Sequence, residues 1–393
     1  MKPRISKAHF VDGHILTLLR NGEEYFPRLI SAIDEAKIFV YIETYIYAAD
    51  NSGRIISEAL QRAARRGVTV HLLLDGFGAA DLPPAWVEEM RAAGVIVLWF
   101  RPWLGWLPIR RYQLRRLHRK LALVDERLVF ISSMNINDDI PGGAITAPRL
   151  DYTVQVQGCV VESVHVAMER LWSLVLWVNF RRRERRRVKF QPPQKPSHNK
   201  VVFLTRDNFK HRHDIEQAYL QAIRGAQKEI IIANAYFLPG KRLRLALCDA
   251  VARGVRVLLL LQGKVEYRLQ HYATLALYDE LLGAGVEIHE YHLSYLHAKV
   301  AIVDGYWTTV GSSNIDPLSL WMAREANLVV HDAGFADSLR ASLMHEMTQG
   351  AKPVQHLEWR ERGILQRMLM RVSYAIVRLL AGVSGYAGGR DYD

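Results

Sequence analysis

A histidine, a lysine two residues on and an aspartate five beyond that occur twice in this 393-residue chain. The first copy is His118, Lys120 and Asp125 in Leu-His-Arg-Lys-Leu-Ala-Leu-Val-Asp, the second His297, Lys299 and Asp304 in Leu-His-Ala-Lys-Val-Ala-Ile-Val-Asp. Ten residues past each aspartate stands an asparagine, Asn135 and Asn314, so four polar positions recur at one offset of 179 residues. The flanking Val, Ile and Leu residues predict a buried strand, on which alternate side chains share a face, so imidazole and ammonium project together. One such motif is readily explained as a packed core histidine. Two copies in register, each with its asparagine, are not.

A pair of histidines brought together from two halves suits in-line displacement at a phosphodiester. One neutral imidazole attacks phosphorus, and the other, protonated, gives its proton to the leaving oxygen. The intermediate would be a phosphohistidine. Charge gathering on the non-bridging oxygens would be met by Lys120, Lys299, Asn135 and Asn314, the phosphate-binding candidates, with no metal required. The two rings must differ in protonation, which a pKa near neutrality allows if each is oriented by its own partner. Asp151 and Glu325, each preceding an apolar strand-like segment, are the candidate orienting carboxylates. Asp125 and Asp304 fall in Val-Asp-Glu and Val-Asp-Gly, where a strand-ending turn and a local backbone bond are expected.

These residues resemble the paired HKD motifs of the phospholipase D superfamily, and the surrounding sequence is similar to bacterial cardiolipin synthases, the B type above all. Residues 230–240 (Ile-Ile-Ala-Asn-Ala-Tyr-Phe-Leu-Pro-Gly within them), 309–320 and 65–70 carry that likeness, which spans about 350 residues. The resemblance implies two tandem phospholipase D-like α-β-α sandwich domains with pseudo-twofold symmetry and a shared central cleft. It implies a phosphatidyl transfer in which one phosphatidylglycerol gives its phosphatidyl group to a histidine, glycerol leaves, and a second phosphatidylglycerol takes the group to give cardiolipin. It carries over His118, Lys120, Asp125, His297, Lys299 and Asp304 as the catalytic set, with His118 as nucleophile and His297 as acid and base, and it implies no cofactor. One departure is Ser132, in Ile-Ser-Ser-Met-Asn, where the family carries glycine. If that glycine serves close approach or a positive φ, serine narrows the pocket or adds strain.

Half the residues are apolar, enough for two sizeable cores. Cys159 and Cys248 form no disulfide or zinc pattern, which fits a reducing setting. The amino terminus has no apolar run that would make a signal peptide, and the longest apolar stretch, Leu171 to Phe180, is about half of what a spanning helix needs. Helices are expected at 25–36, 55–66, 214–225 and 243–253, and strands at 38–42, 68–74, 95–100, 229–233, 255–261 and 286–291. Ala-Arg-Arg-Gly-Val-Thr-Val and Ala-Arg-Gly-Val-Arg-Val match between the halves, pointing to duplication. The expected division is residues 1–180, a basic linker at 181–200, residues 201–350, and a carboxy-terminal segment at 351–393.

A formal charge of +12 implies an anionic partner, either nucleic acid or an anionic membrane. The arginine run 181–187 follows an apolar stretch bearing Trp172 and Trp177, and Trp99, Trp103 and Trp106 precede Arg110, Arg111, Arg115, Arg116 and His118. Tryptophan beside arginine suits the lipid headgroup zone, although bases could stack on the same rings. Trp359 to Leu380 reads as a basic amphipathic helix with Arg360, Arg367, Arg371 and Arg378 on one face and Ile364, Leu365, Met368, Leu369, Val372, Ile376 and Leu379 on another, fit to lie in an interface or to dock on the protein itself. Glu43, Tyr45, Asn234 and Tyr236 end equivalent strands and are candidates to line the cleft. His211 and His213 lack further ligands and are assigned no metal. The readings carried forward are a peripheral enzyme on the cytoplasmic face of a bacterial membrane that makes cardiolipin, a phosphodiesterase hydrolysing phospholipid or nucleic acid, and a silent lipid-binding module. The membrane partner is favoured and no nucleic acid is expected.

Overall fold

Strands covered on both faces lose the in-out alternation and read as continuous hydrophobic runs. The first such run, Phe39–Thr44, is buried along its whole length. The computed structural model describes residues 9–102, 115–140, 145–179, 198–207, 211–316, 323–356, 359 and 363–381. The first lobe contains β1 (Val11–Asp12), β2 (Ile15–Arg20), α1 (Asn21–Glu35), β3 (Phe39–Thr44), α2 (Asn51–Arg65), β4 (Thr69–Asp75), α3 (Pro84–Ala92), β5 (Ile96–Phe100), β6 (Arg116–Leu117), β7 (Lys120–Val124), β8 (Leu128–Ser132), β9 (Tyr152–Gln157) and α4 (Val160–Val178). The second contains β10 (Lys200–Arg206), α5 (Asp214–Gly225), β11 (Glu229–Asn234), α6 (Lys241–Ala252), β12 (Arg256–Gln262), α7 (Arg268–Leu275), α8 (Tyr278–Gly283), β13 (Glu287–Tyr291), β14 (Lys299–Val303), β15 (Trp307–Gly311), β16 (Ala323–His331), α9 (Ala333–Gly350), β17 (Ala351–Pro353) and α10 (Ile364–Ala381).

The duplication is visible strand by strand. The first sheet runs β2-β9-β8-β7-β3-β4-β5, and the second contains β16-β15-β14-β11-β12-β13 in the matching order. In both, three parallel strands carry the helical crossovers, and the strand bearing the motif lysine joins them antiparallel. Gly67 and Gly254 end α2 and α6 with the same φ of +87°, which explains the matched Arg-Gly-Val sequences.

Alternate residues of β3 part to opposite faces. Val40 and Ile42 pack under α1 and α2, while Phe39 and Tyr41 join α4, α9 and the inner face of the second sheet in one core. The order of layers is therefore helices, sheet, a central layer of α4 and α9, sheet, helices. The stretch starting at Leu171 is the last part of α4, where Leu171, Trp172 and Val175 are buried, and Trp172, 4% exposed, stacks on His71 with centroids 4.2 Å apart. Trp172 is thus a core residue and not a membrane contact. Trp99 is half-buried in β5 against the first core, whereas Trp177 is 75% exposed. Trp103, Trp106, Arg110, Arg111, the 181–187 run and Arg360 lie outside the described residues.

Sheet edges do not respect the division expected from sequence, because an unpaired edge recruits whichever strand reaches it. β1 pairs with β10, which already begins at Lys200; β6 pairs in parallel with β16; and β17 closes the far edge of the second sheet. Among the described residues no helix is long and apolar enough to cross a membrane.

Asp125 and Asp304 sit at the ends of β7 and β14 remote from the histidines, roughly 20 Å away at the rise of a strand. They are not at the reacting centre. Asp125 accepts backbone N–H bonds from Lys37, Ile38 and Phe39, and Asp304 from Gln227, Lys228 and Glu229, each at 2.7–3.0 Å. The bonds reach the start of the neighbouring strand, β3 or β11, instead of the aspartate's own turn. Both residues have positive φ, 50° and 54°, which aspartate and asparagine tolerate best. Asp304→Asn is expected to lower the unfolding free energy by about 1–2 kcal/mol, and Asp304→Ala by more because it adds backbone strain. Urea titration of the three proteins checks the order.

Candidate active site

Each motif begins just before a strand, so the lysine is the first ladder residue and the histidine stands on the loop that enters it. Position within that loop is set from outside. Leu117, preceding His118, donates its N–H to Asp75 Oδ2 at 2.7 Å, and Leu296, preceding His297, donates to Gln262 Oε1 at 2.6 Å. Asp75 and Gln262 end the equivalent strands β4 and β12. The sequence reading missed both, although Leu-Leu-Leu-Asp-Gly and Leu-Leu-Leu-Gln-Gly align between the halves.

The histidine rings are held across the lobes. His118 Nδ1 lies 2.9 Å from one oxygen of Glu325 and 3.1 Å from the other, and Glu325 is on β16 of the second lobe. His297 Nδ1 lies 2.6 Å from Asp151 Oδ2, and Asp151 immediately precedes β9 of the first lobe. The backbone repeats the exchange. His118 N–H donates to the carbonyl of Arg324 at 3.0 Å and His297 N–H to that of Leu150 at 2.9 Å, in each case the residue before the carboxylate that holds the ring. Ser312 and Ser133, which share the 179-residue offset, donate their hydroxyls to Glu325 and Asp151. With Nδ1 so engaged, Nε2 is the ring atom left to meet a substrate.

Both imidazoles line one cleft of about 300 Å³. Tyr45 and Tyr236, Asn135 and Asn314, and Asn137 and Asp316 line it as symmetric pairs, joined by Asp139, Arg149 and Asp151 from the first lobe and Glu266, Tyr267 and Gln270 from the second. Tyr45 flanks His118 with centroids 5.0 Å apart, and Tyr236 donates to Glu266 at 2.6 Å. Asn137 and Asp316 were legible as a further repeat at the same offset and went unread. Glu43 and Asn234, expected in the cleft, are not there. Arg119, between the first-motif histidine and lysine, forms a buried ion pair with Glu43; the second half has Ala298 in its place, and Asn234 Oδ1 instead accepts from the Ile315 N–H at 3.2 Å.

Lys120 and Lys299 are almost wholly buried and each donates to the carbonyl of its own motif histidine. One of three ammonium hydrogens is spent there. Ser132 neither narrows the cleft nor takes a positive φ. It is buried on β8 and shares a hydrogen bond with Thr153 Oγ1 at 2.5 Å. In the second half Gly311 takes that place, where a Cβ would meet the Ala326 carbonyl oxygen at 2.3 Å and Asn327 at 2.5 Å. Across the ladder Ser132 faces Thr153, whereas Gly311 faces Asn327. His211 and His213 pair locally with Asp214 and Glu216.

Burial pushes both imidazoles below their ordinary range, His297 to about 4, with the lysines adding to the effect and the carboxylates opposing it. Burial also lowers Lys120 to about 7 and Lys299 to about 8. For Asp151 and Glu325 burial acts upward, but the adjoining imidazole and lysine leave each carboxyl below its usual value. The site thus sets two carboxylates against two lysines whose ammonium form burial weakens, around two rings for which burial favours the neutral form.

A sequence model of the family described as "Cardiolipin synthase, PLD-like domain" matches residues 29–139 and 219–347. This chain belongs to that family. Cardiolipin synthase B of Shigella flexneri is 40% identical over 337 residues, 86% of this chain and 81% of that one. Cardiolipin synthase B of Escherichia coli K12 is 39% identical over the same length, and cardiolipin synthase A of Erwinia tasmaniensis 31% over 382 residues, 94% of this chain and 76% of that one. In fold, the chain is similar to phosphatidylserine synthase of Haemophilus influenzae, with a TM-score of 0.67 at 15% identity, covering 96% of each. It is also similar to polyphosphate kinase of Porphyromonas gingivalis, with a TM-score of 0.57 at 16% identity over 94% of this chain and 53% of that one.

An imidazole depressed on folding binds fewer protons than the unfolded chain between its two pKa values. Its contribution to stability is therefore present above about pH 6.5 and lost as pH falls toward about 4. Asp151 and Glu325, also depressed, lose theirs on further acidification. Urea midpoints should fall between about pH 6.5 and pH 4.5, and His297→Gln should flatten that slope by ~1.4 kcal/mol per pH unit. An unchanged slope would contradict a neutral His297.

Proposed function

We propose that this protein is a cardiolipin synthase, a phosphatidyltransferase that joins two phosphatidylglycerol molecules and releases glycerol. The observation that carries the reading is the pair of imidazoles in one cleft, each oriented through Nδ1 by a carboxylate of the other lobe.

A bound phosphodiester adds a negative charge to a site already balanced between lysines and carboxylates. That charge raises the proton affinity of the nearby rings, so one takes up a proton while the other stays neutral. His118 Nε2 attacks phosphorus, the bond from phosphorus to the glycerol oxygen breaks, and His297 supplies the proton that lets glycerol leave. The second phosphatidylglycerol then presents a hydroxyl. His297 removes its proton, the oxygen attacks phosphorus, and the bond to His118 breaks. Asn135, Asn314, Lys120 and Lys299 are the donors proposed to meet the charge of the five-coordinate state, the lysines through hydrogens not engaged by the histidine carbonyls. The scheme leaves no task for a metal. Water as acceptor in place of the second lipid would give the hydrolase; a synthase must bring the acceptor hydroxyl to the intermediate faster. The proposal extends to a peripheral enzyme on the cytoplasmic face of a bacterial membrane; the exposed Trp177 and α10 support the peripheral attachment.

Purified protein incubated with phosphatidylglycerol vesicles should yield cardiolipin and glycerol by mass spectrometry, at a rate indifferent to chelators. His118→Ala and His297→Ala should each reduce that rate about a thousandfold or more. Phosphatidic acid as the main product would favour hydrolysis, and cleavage of an oligonucleotide without lipid turnover would overturn the proposal.

A further inference from the structure

Helix α10 turns the wrong side to the protein for a helix seeking burial. Ile364, Leu365, Met368, Leu369, Val372, Ile376, Leu379 and Leu380 all face solvent, Leu365 at 83% exposed and Leu379 at 66%. The residues it buries are Met370, Ser373 and Val377, and Met370 and Val377 join the outer core of the second lobe. At about 100° per residue the exposed apolar side chains fill an arc of roughly 160°, and the buried ones lie outside it, beyond the edge away from the arginines. Arg367, Arg371 and Arg378 cluster along one rim of the arc, and no acidic residue occurs between Ile364 and Ala381.

The helix is fixed in this attitude. It packs along α7, and Arg244 of α6 donates to the Tyr374 hydroxyl at 3.2 Å. Tyr267 and Gln270, at the start of α7, line the cleft, and the same segment carries exposed Val265 and Leu269. The helix that carries the solvent-facing arc thus packs on the helix whose first turn reaches the cleft wall.

We propose that the solvent-facing arc of α10 docks on an anionic lipid surface, with its arginine rim at the headgroups, and that α7 holds the cleft mouth in fixed register with that surface. The inference rests on the proposed lipid substrate, since a diacyl phospholipid must be drawn from a bilayer. An apolar face with a cationic rim is the composition of an interfacial helix. A second copy of the chain fits less well, because it would offer the arginine rim no acidic counterpart from α10.

Co-sedimentation of the full chain with phosphatidylglycerol and with phosphatidylcholine vesicles tests this. The variant Leu365→Glu/Val372→Glu/Leu379→Glu should bind phosphatidylglycerol vesicles at least about tenfold more weakly. It should lose turnover on vesicles in proportion, yet convert a short-chain, monomerically dissolved phosphatidylglycerol at the parent rate. Leu365→Ser/Leu379→Ser should show the same effects in smaller measure and guards against misfolding. Arg367→Gln/Arg371→Gln should weaken binding to phosphatidylglycerol vesicles more than to phosphatidylcholine. Vesicle binding unchanged in the glutamate variant overturns the proposal, as does a parent dimer that this variant dissolves with vesicle binding intact. Failure of the parent to make cardiolipin would count against the proposed reaction and leave the vesicle result standing.

Discussion

The constraint on which the site depends is that neither lobe can orient its own histidine. Each ring takes its carboxylate, and each histidine its backbone acceptor, from the opposite lobe. Burying a carboxylate costs several kcal/mol unless charge and hydrogen bonds offset it. Asp151 has His297, Ser133 and the Tyr152 N–H, and Glu325 has His118 and Ser312. Separation of the lobes would strand both acids, so the central layer of α4 and α9 and the exchanged strand β6 serve the chemistry as much as the fold.

Much of this was legible because duplication converts weak local signals into strong ones. The motif residues and the two asparagines emerged from register alone, Asp151 and Glu325, which fall outside that register, from the apolar segments they precede, and the repeated strand order follows from the same alternation of apolar runs. What stayed hidden was pairing across the duplication. Sequence places Glu325 beside Asn314 and so in the second half, and nothing in spacing says that it reaches back to His118. Asp125 and Asp304 belong to the motif by type yet act at the far end of the strand, because an aspartate in a turn can bond any backbone brought near it. The strand-end polar residues Glu43 and Asn234 share an alignment with cleft-lining tyrosines two residues later, but strand alternation and the neighbouring Arg119 decide their surroundings.

The halves are not equivalent, and the differences come in compensated pairs. Arg119 with Glu43 replaces Ala298 with Asn234; Ser132 with Thr153 replaces Gly311 with Asn327; the carboxyl of Asp75 stands where Gln262 has an amide. Each change in one half is matched by a change in the residue it touches, so the two lobes keep the same strand order with different buried contacts.

The crossed hold of the rings is tested most directly by following the proton titration of the two histidines by nuclear magnetic resonance in Glu325→Gln. Loss of that carboxylate removes an interaction that favours the protonated ring, so the account predicts a downward shift at His118, in the other lobe, with His297 little changed. A shift confined to His297, or none at either ring, would contradict it.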